Sequence, residues 1–327
     1  MDFDTSKFTD SAVIAIDIGG TSIKAGLCSS TGEIIFRGSR RCTIANGLSH
    51  FLETVENLVS ELIHYSSDCA KIIVGVGAAV PGIADPSGVV RSSINLAPLV
   101  GFNLRNWLQS TLMVPAAMLN DANAAAYAEM AYGAGKRFDS FLHFTLGTGV
   151  GSGLVLNREV WTGKRGIAAE YGHATVEADG RVCNCGNHGC LEQYSSATGI
   201  VLTAKEYLEN GVDSSLKRFN QNELNAEIIA MEALNGDQVS QLAYQMAGKY
   251  IGLAAASAVN LLDLEAVVIG GGVSESFELI KDAINCELQL RVFPEAREGI
   301  KVCKSELGND AGVLGAAAAA WSLVQSA

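Results

Sequence analysis

The sequence predicts an α/β protein built as two lobes, on three observations. Its 327 residues exceed what one hydrophobic core organises, and at about 150 residues per domain they divide into roughly two. An apolar share of 48% against 18% charged residues supplies more core material than a disordered chain carries. Most specifically, a β-branched strand that breaks at glycines and resumes as a second strand occurs twice, at Ala12 to Leu27 and at Ser140 to Leu156. Each pair is followed by helix and strand patterns, the order of an α/β lobe.

In chain order, Ala12 to Asp17 is a strand that turns at Gly19-Gly20 and continues as Ser22 to Leu27, a hairpin with a glycine turn. A third strand follows at Glu33 to Gly38. A helix then runs from about Gly47 to Tyr65, where Phe51, Val55, Leu58, Val59 and Leu62 recur at helical spacing. Lys71 to Ala78 is a continuous apolar strand ending in Pro81-Gly82, and a strand around Met118 gives way at Asn120-Asp121 to an alanine-rich helix. The second hairpin turns through Gly147-Thr148-Gly149. A long helix at Asp237 to Leu262, with Val239, Leu242, Met246, Tyr250 and Leu253 on one stripe, feeds the strand Ala266 to Gly270, and Ala311 to Trp321 is a packed terminal helix. These motifs divide the chain into a smaller lobe, residues 1–120 rejoined by the C-terminal helix 310–327, and a larger lobe, 121–309.

Charge excludes several classes of function. With 23 basic against 35 acidic side chains, the net charge is −12, which repels phosphate backbones and anionic headgroups. No apolar run reaches the ~20 residues that span a bilayer, and the amino terminus lacks the pattern of a secretory signal. The expected compartment is the cytoplasm, with neither nucleic acid nor membrane as partner. Of the eight cysteines, Cys28, Cys42, Cys69, Cys286 and Cys303 are scattered and read as ordinary small residues.

Three cysteines cluster, and that block is the strongest local signal. His173 is followed by Cys183-Asn-Cys185-Gly-Asn-His188-Gly-Cys190, a complete tetrahedral set of three thiols and one imidazole for Zn²⁺. A full shell leaves no position for water, so the metal is expected to brace the loop and not to act as a Lewis acid. His188 reads as a non-ligand beside Cys185 and Cys190, and His50, His64 and His143 as structural. Glu170 and Glu192 flank the ligands. They are either solvated or suited to reading hydroxyls from a braced loop, and His173 can offer its second ring nitrogen as well.

The other candidates are the glycine turns and Asp121. At Asp17-Ile-Gly19-Gly20-Thr21, with Lys24 beyond, backbone amides can approach an anion and a strand-end carboxylate can hold hydrated Mg²⁺, although Gly-Gly is also ordinary turn chemistry. Leu146-Gly-Thr-Gly-Val-Gly-Ser-Gly153 is denser in glycine than a hairpin requires, so the two loops suggest two halves clamping one polyphosphate. Familiar alternatives fail on spacing. From Gly147 and Gly149 the last position of G-x-G-x-x-G is Ser152, and Gly135-Lys136 is followed by Arg137 with Met130 where a P-loop starts with glycine. Asp121 is a helix cap or, at a strand's carboxyl end between the loops, a group that orients a hydroxyl toward phosphate.

Together these segments resemble the ROK family of sugar kinases and repressors over nearly the whole chain. The resemblance rests on Asp17-x-Gly-Gly-Thr21, Val80-Pro-Gly82, Asn120-Asp-Ala-Asn-Ala, Leu146-Gly-Thr-Gly149, Glu170-x-Gly-His173 with Cys-x-Cys-Gly-x-x-Gly-Cys-x-Glu192, and Ile269-Gly-Gly-Gly-Val273. It implies two lobes of the actin-like ATPase (ribonuclease H-like) fold with a structural zinc loop, binding ATP, Mg²⁺ and a hexose in their cleft. It further implies Asp121 as catalytic base and Asn120, Asp121, Glu170, His173 and Glu192 as sugar ligands. Asp17, Gly19, Gly20, Thr21 and Lys24 would serve the phosphates, Gly147, Thr148 and Gly149 the opposing side, and Gly271 and Gly272 the adenosine. The implied activity is phosphorylation of a hexose 6-hydroxyl, with glucose favoured by resemblance of Cys190 to Gly199 to the glucokinase branch. N-acetylmannosamine and N-acetylglucosamine kinases use the same residues. The implied assembly is a homodimer. Repressors of this family add an amino-terminal helix-turn-helix domain; a first strand at about residue 12 and the acidic charge set the expectation of an enzyme.

Overall fold

The computed structural model describes residues 8–41, 46–93 and 96–326; Cys42 and residues 1–7 lie outside them. Contacts divide the chain into two units, one of Met1–Arg137, Gly153–Ala169 and Glu306–Ala327, the other of Phe138–Ser152 and Glu170–Ser305. The first begins with β1 (Ser11–Ile18), β2 (Ser22–Cys28) and β3 (Ile34–Arg41), joined antiparallel, then α1 (Leu48–Asp68) and β4 (Ile72–Val80), parallel to β1. A ribbon of β5 (Ile83–Ala84) and β6 (Val90–Ser92) precedes α2 (Leu104–Leu112), β7 (Ala116–Asn120) and α3 (Asp121–Tyr132). The chain continues through β8 (Phe141–Leu146), β9 (Val150–Leu156), β10 (Glu159–Val160), α4 (Glu192–Ser195), α5 (Ala197–Glu209), α6 (Ala226–Leu234) and α7 (Gln238–Leu262). It ends with β11 (Ala266–Gly270), α8 (Phe277–Arg291), α9 (Pro294–Arg297), β12 (Lys301–Lys304) and α10 (Ala311–Gln325).

The two large sheets have strand orders β3-β2-β1-β4-β7 and β10-β9-β8-β11-β12. Relabelled by position, these are the same order, so the repeated strand–glycine–strand grammar reports a repeated topology. In the first sheet β1 is central and covered on both faces. Ile14, Ile16 and Ile18 pack with Phe51, Val55, Leu58 and Leu62 of α1, while Val13 and Ala15 pack with Ala316, Ala317, Ala320 and Trp321 of α10. A strand buried on both faces reads as a continuous apolar run, which is what Ala12 to Ile16 shows.

The first unit extends through Arg137 and so includes α3, and packing gives the reason. Helix α3 runs so close to α10 that a Cβ added at Gly315 would lie 1.9 Å from the Ala124 carbonyl oxygen; only glycine permits this approach. Residues from Gly153 onward join the same unit because the backbone at Gly153 lies against Ala126, which an added Cβ would approach to 2.5 Å. In the second unit, β11 pairs in parallel with β8 and β12. Helix α7 buries Val239 and Tyr250 of the expected stripe but also Ala243, Ala247, Ile251 and Ala255, while Leu242 is exposed. Small residues face inward because α8 comes close: a Cβ on Gly248 would stand 2.5 Å from the Ile280 carbonyl oxygen. His143 is buried, but the structural reading of His64 fails, since its side chain projects into solvent within 3.8 Å of Asp68. Among the described residues no helix is long and apolar enough to cross a membrane.

Candidate active site

In the first unit, the β1–β2 register sets Asp17 opposite Lys24, where opposite charges on one face attract. The Gly19 N–H donates to the Ser22 carbonyl at 2.9 Å, closing a tight turn with Gly20 and Thr21 at its tip. The Asp17 carboxyl is half-buried, and burial raises its proton affinity; Lys24 lowers it and the nearby Asp121 carboxylate raises it again. Gly312 of α10 faces that carboxyl, which an added Cβ would approach to 2.5 Å.

Asn120 ends β7 and caps α3. Its side-chain oxygen accepts the Ala122 N–H at 2.9 Å and the Asn123 N–H at 3.3 Å, and its Nδ2 donates to the Gly82 carbonyl at 2.9 Å. This cap satisfies two helix-terminal donors, and the Pro81-Gly82 turn is thereby tied to the helix start. The Asn120 side chain also hydrogen-bonds the Asp121 carboxyl. Asp121, the first helical residue, accepts the Ala122 N–H at 2.9 Å. It keeps solvent access, which limits any shift, yet the protein crowded around it is the largest influence and raises its pKa; bonds from the Ala122 and Asp121 amides and from Asn120 oppose this.

In the second unit, the glycine loop joins β8 to β9, with the Gly147 N–H on the Gly149 carbonyl at 2.9 Å. Gly271, at the end of β11, sits beside it: φ is +81° and an added Cβ would stand 2.4 Å from the Leu146 carbonyl oxygen. Gly272 follows in a short 3₁₀ turn. Glu170 is exposed and precedes the turn Tyr171–His173, which docks on β9 through the Tyr171 N–H and Ser152 Oγ at 3.0 Å. The Glu192 carboxylate accepts the Val150 N–H at 3.0 Å, against the glycine loop.

The four proposed metal ligands converge. Donor atoms of His173, Cys183, Cys185 and Cys190 lie within 4.8 Å of one another. The Cys185 and Cys190 sulfurs are 3.6 Å apart, and Cys183 Sγ is 3.7 Å from His173 Nδ1. Zinc at about 2.3 Å from sulfur and about 2.0 Å from nitrogen has tetrahedral edges of about 3.5 to 3.8 Å, so the residues fit a structural Zn²⁺. The fold of this loop depends on Gly189, where φ is +66° and a Cβ would stand 1.6 Å from the Glu177 carbonyl oxygen. His188 is exposed and outside the cluster.

Arg181 carries no spacing signal in the sequence, yet it locks this loop to α5. It bonds to Glu206 through Nε at 2.8 Å and Nη2 at 2.6 Å, to Thr203 at 2.9 Å and to the Gln193 carbonyl at 2.6 Å. Its guanidinium also lies 4.7 Å from the Tyr194 ring centroid. Thr198, within the Cys190–Gly199 stretch, carries no spacing signal of its own either; its hydroxyl donates to the Thr148 carbonyl at 3.0 Å.

The ROK family pattern matches residues 13–322. The chain belongs to the ROK family. A glucokinase of Halalkalibacterium halodurans is 32% identical over 311 residues, covering 94% of each chain. A xylose repressor of Caldicellulosiruptor bescii is 29% identical, covering 93% of this chain and 76% of the repressor. A ROK glucokinase from Streptomyces griseus, solved in complex with glucose and AMPPNP, superposes with a TM-score of 0.77 at 28% identity, over 95% of this chain and all of that one. The duplicated sheets of this ROK protein are those of the actin-like ATPase fold.

Proposed function

We propose that the protein transfers the γ-phosphoryl group of ATP to the 6-hydroxyl of a hexose, with glucose the favoured acceptor. In class it is a sugar kinase of the ROK family. The observation that carries the reading is Asp121: a carboxylate at a helix start, held by backbone donors, whose proton affinity burial raises. Such a group takes a hydroxyl proton as the oxygen attacks. In this reading Asn120, Glu170, the second nitrogen of His173 and Glu192 hold the other hydroxyls. The amides of Gly19 to Thr21 and of the glycine loop hold phosphate oxygens, and Gly271 and Gly272 flank the adenosine. Asp17, a half-buried oxygen donor, suits a hydrated Mg²⁺, which supplies charge neutralisation to the phosphates when bound. A loose phosphoryl-transfer transition state asks mainly for positioning and charge compensation, which these groups provide.

The glucose preference is supported by the glucokinase relatives and by the resemblance of Cys190 to Gly199 to the glucokinase branch. A coupled assay of ADP release with glucose, mannose, fructose, N-acetylmannosamine and N-acetylglucosamine tests it. Highest kcat/KM on glucose is the expected outcome. Preference for an N-acetylhexosamine replaces the acceptor, and absence of turnover on every sugar overturns the kinase reading.

A further inference from the structure

Residues 191–198 leave the Cys₃His cluster at one end and enter α5 at the other, and they bond to the glycine loop at three points. The Glu192 carboxylate accepts the Val150 N–H at 3.0 Å, Ala197 donates its N–H to the Gly147 carbonyl at 2.8 Å, and Thr198 Oγ1 donates to the Thr148 carbonyl at 3.0 Å. An added Cβ at Gly149 would stand 2.4 Å from Glu192 Oε2, so the carboxylate and the loop are in close contact. The stretch is itself rigid. Leu191 donates to the Ala174 carbonyl at 2.9 Å, and the Ser196 hydroxyl donates to the Glu192 carbonyl at 2.7 Å while accepting the Gly199 N–H at 2.9 Å.

These bonds take up the loop's carbonyls, since Gly149 O already accepts from Gly147. Among the described residues, the Thr148 and Gly149 amides donate to no protein acceptor. Backbone amides that are held in place without an internal acceptor are anion ligands. A loop that must be ordered at the moment of binding loses affinity, whereas one already held does not.

We propose that Thr198 is a positioning residue for the phosphoryl donor: its hydroxyl, acting with Glu192 and Ala197, holds the glycine loop so that the Thr148 and Gly149 amides meet phosphate oxygens. This rests on the reading of that loop as a donor-phosphate site. It also makes the metal-braced loop and the glycine loop neighbours in one hydrogen-bonded frame.

The test compares Thr198→Val and Thr198→Ser with the wild type, by steady-state kinetics on glucose and by equilibrium binding of ATP without sugar. One hydrogen bond contributes about 1 kcal/mol, about fivefold, so Thr198→Val is expected to raise KM and Kd for ATP about fivefold with glucose KM changed less than about twofold. Thr198→Ser keeps the hydroxyl and is expected to restore wild-type ATP affinity. An unchanged ATP Kd in Thr198→Val, or equal losses in both variants, or a parallel rise in glucose KM, overturns the positioning role while the kinase reading stands. A wild type that neither binds ATP nor turns over any hexose overturns that reading, and the proposal with it.

Discussion

Asp121 faces two opposing demands, because a carboxylate useful as a base is one that folding makes costly to ionise. Its pKa is raised, chiefly by burial. The folded chain therefore holds this proton more tightly than the unfolded chain does, and the associated stability is full below the unfolded value, near 3.9, and lost as pH rises through the raised one. Asp121→Asn is accordingly expected to lower kcat by about 100- to 10,000-fold without lowering Tm at neutral pH, measured by kinetics and calorimetry on the same sample. A variant with near wild-type kcat removes Asp121 from the chemistry. Activity needs the ionised form, so kcat/KM is expected to fall on the acid side at a pH above the ordinary Asp value. A pH–rate profile flat down to that value contradicts the assignment. Asn120 and Asp121 were legible as cap candidates because the cap bonds of Asn120 go to amides two and three residues on; the bond to Gly82 was not, since Gly82 comes near only through β4 and β7 pairing.

At the scale of elements, the metal loop and the glycine loop behave differently from ordinary connections. The loop around Cys183 to Cys190 has little apolar content of its own, and its order comes from the Cys₃His donor set, the Arg181 network and the tight approach at Gly189. Zinc analysis of freshly purified protein is expected to find one ion per chain; its absence would remove the structural role given to the cluster. Gly189→Ala cannot keep the present backbone, because its Cβ would sit 1.6 Å from the Glu177 oxygen, and supporting changes of this kind cost about 10- to 100-fold in metal affinity. Competition with a chromophoric chelator reads that loss directly. Of the elements, β1, α1, β4, α7 and α10 announced themselves by apolar run or period. β12, Lys301–Lys304, did not, because an edge strand with lysine at both ends has no pattern to read.

At the scale of the molecule, the first unit is completed by its last helix. Trp321 is fully buried among Val13, Ala15 and Ala79, with Phe8 edge-on at 5.4 Å between ring centroids. Trp321→Ala is expected to lower the stability of the folded chain by about 3–5 kcal/mol, read as an earlier denaturant midpoint with glucose absent. A change within the error of the measurement would mean that α10 is not integral to this unit. The alanine and glycine run at 315–320 is explained by the same docking: small side chains let α10 approach both the sheet and α3.

Local pattern was enough to establish an α/β chain with two strand–glycine–strand hairpins, a cysteine–histidine set of zinc-binding composition and the identity of the acidic and glycine positions. These are properties of neighbouring residues, and neighbours in sequence need no fold to be read. The division of the chain into units, the inward face of α7, the hold of Asn120 on Gly82 and the hold of Thr198 on Thr148 depend on approaches between segments far apart in sequence. Such approaches are set by how closely backbones can pack once small residues permit it, and that is a property of three-dimensional packing rather than of any single stretch of chain.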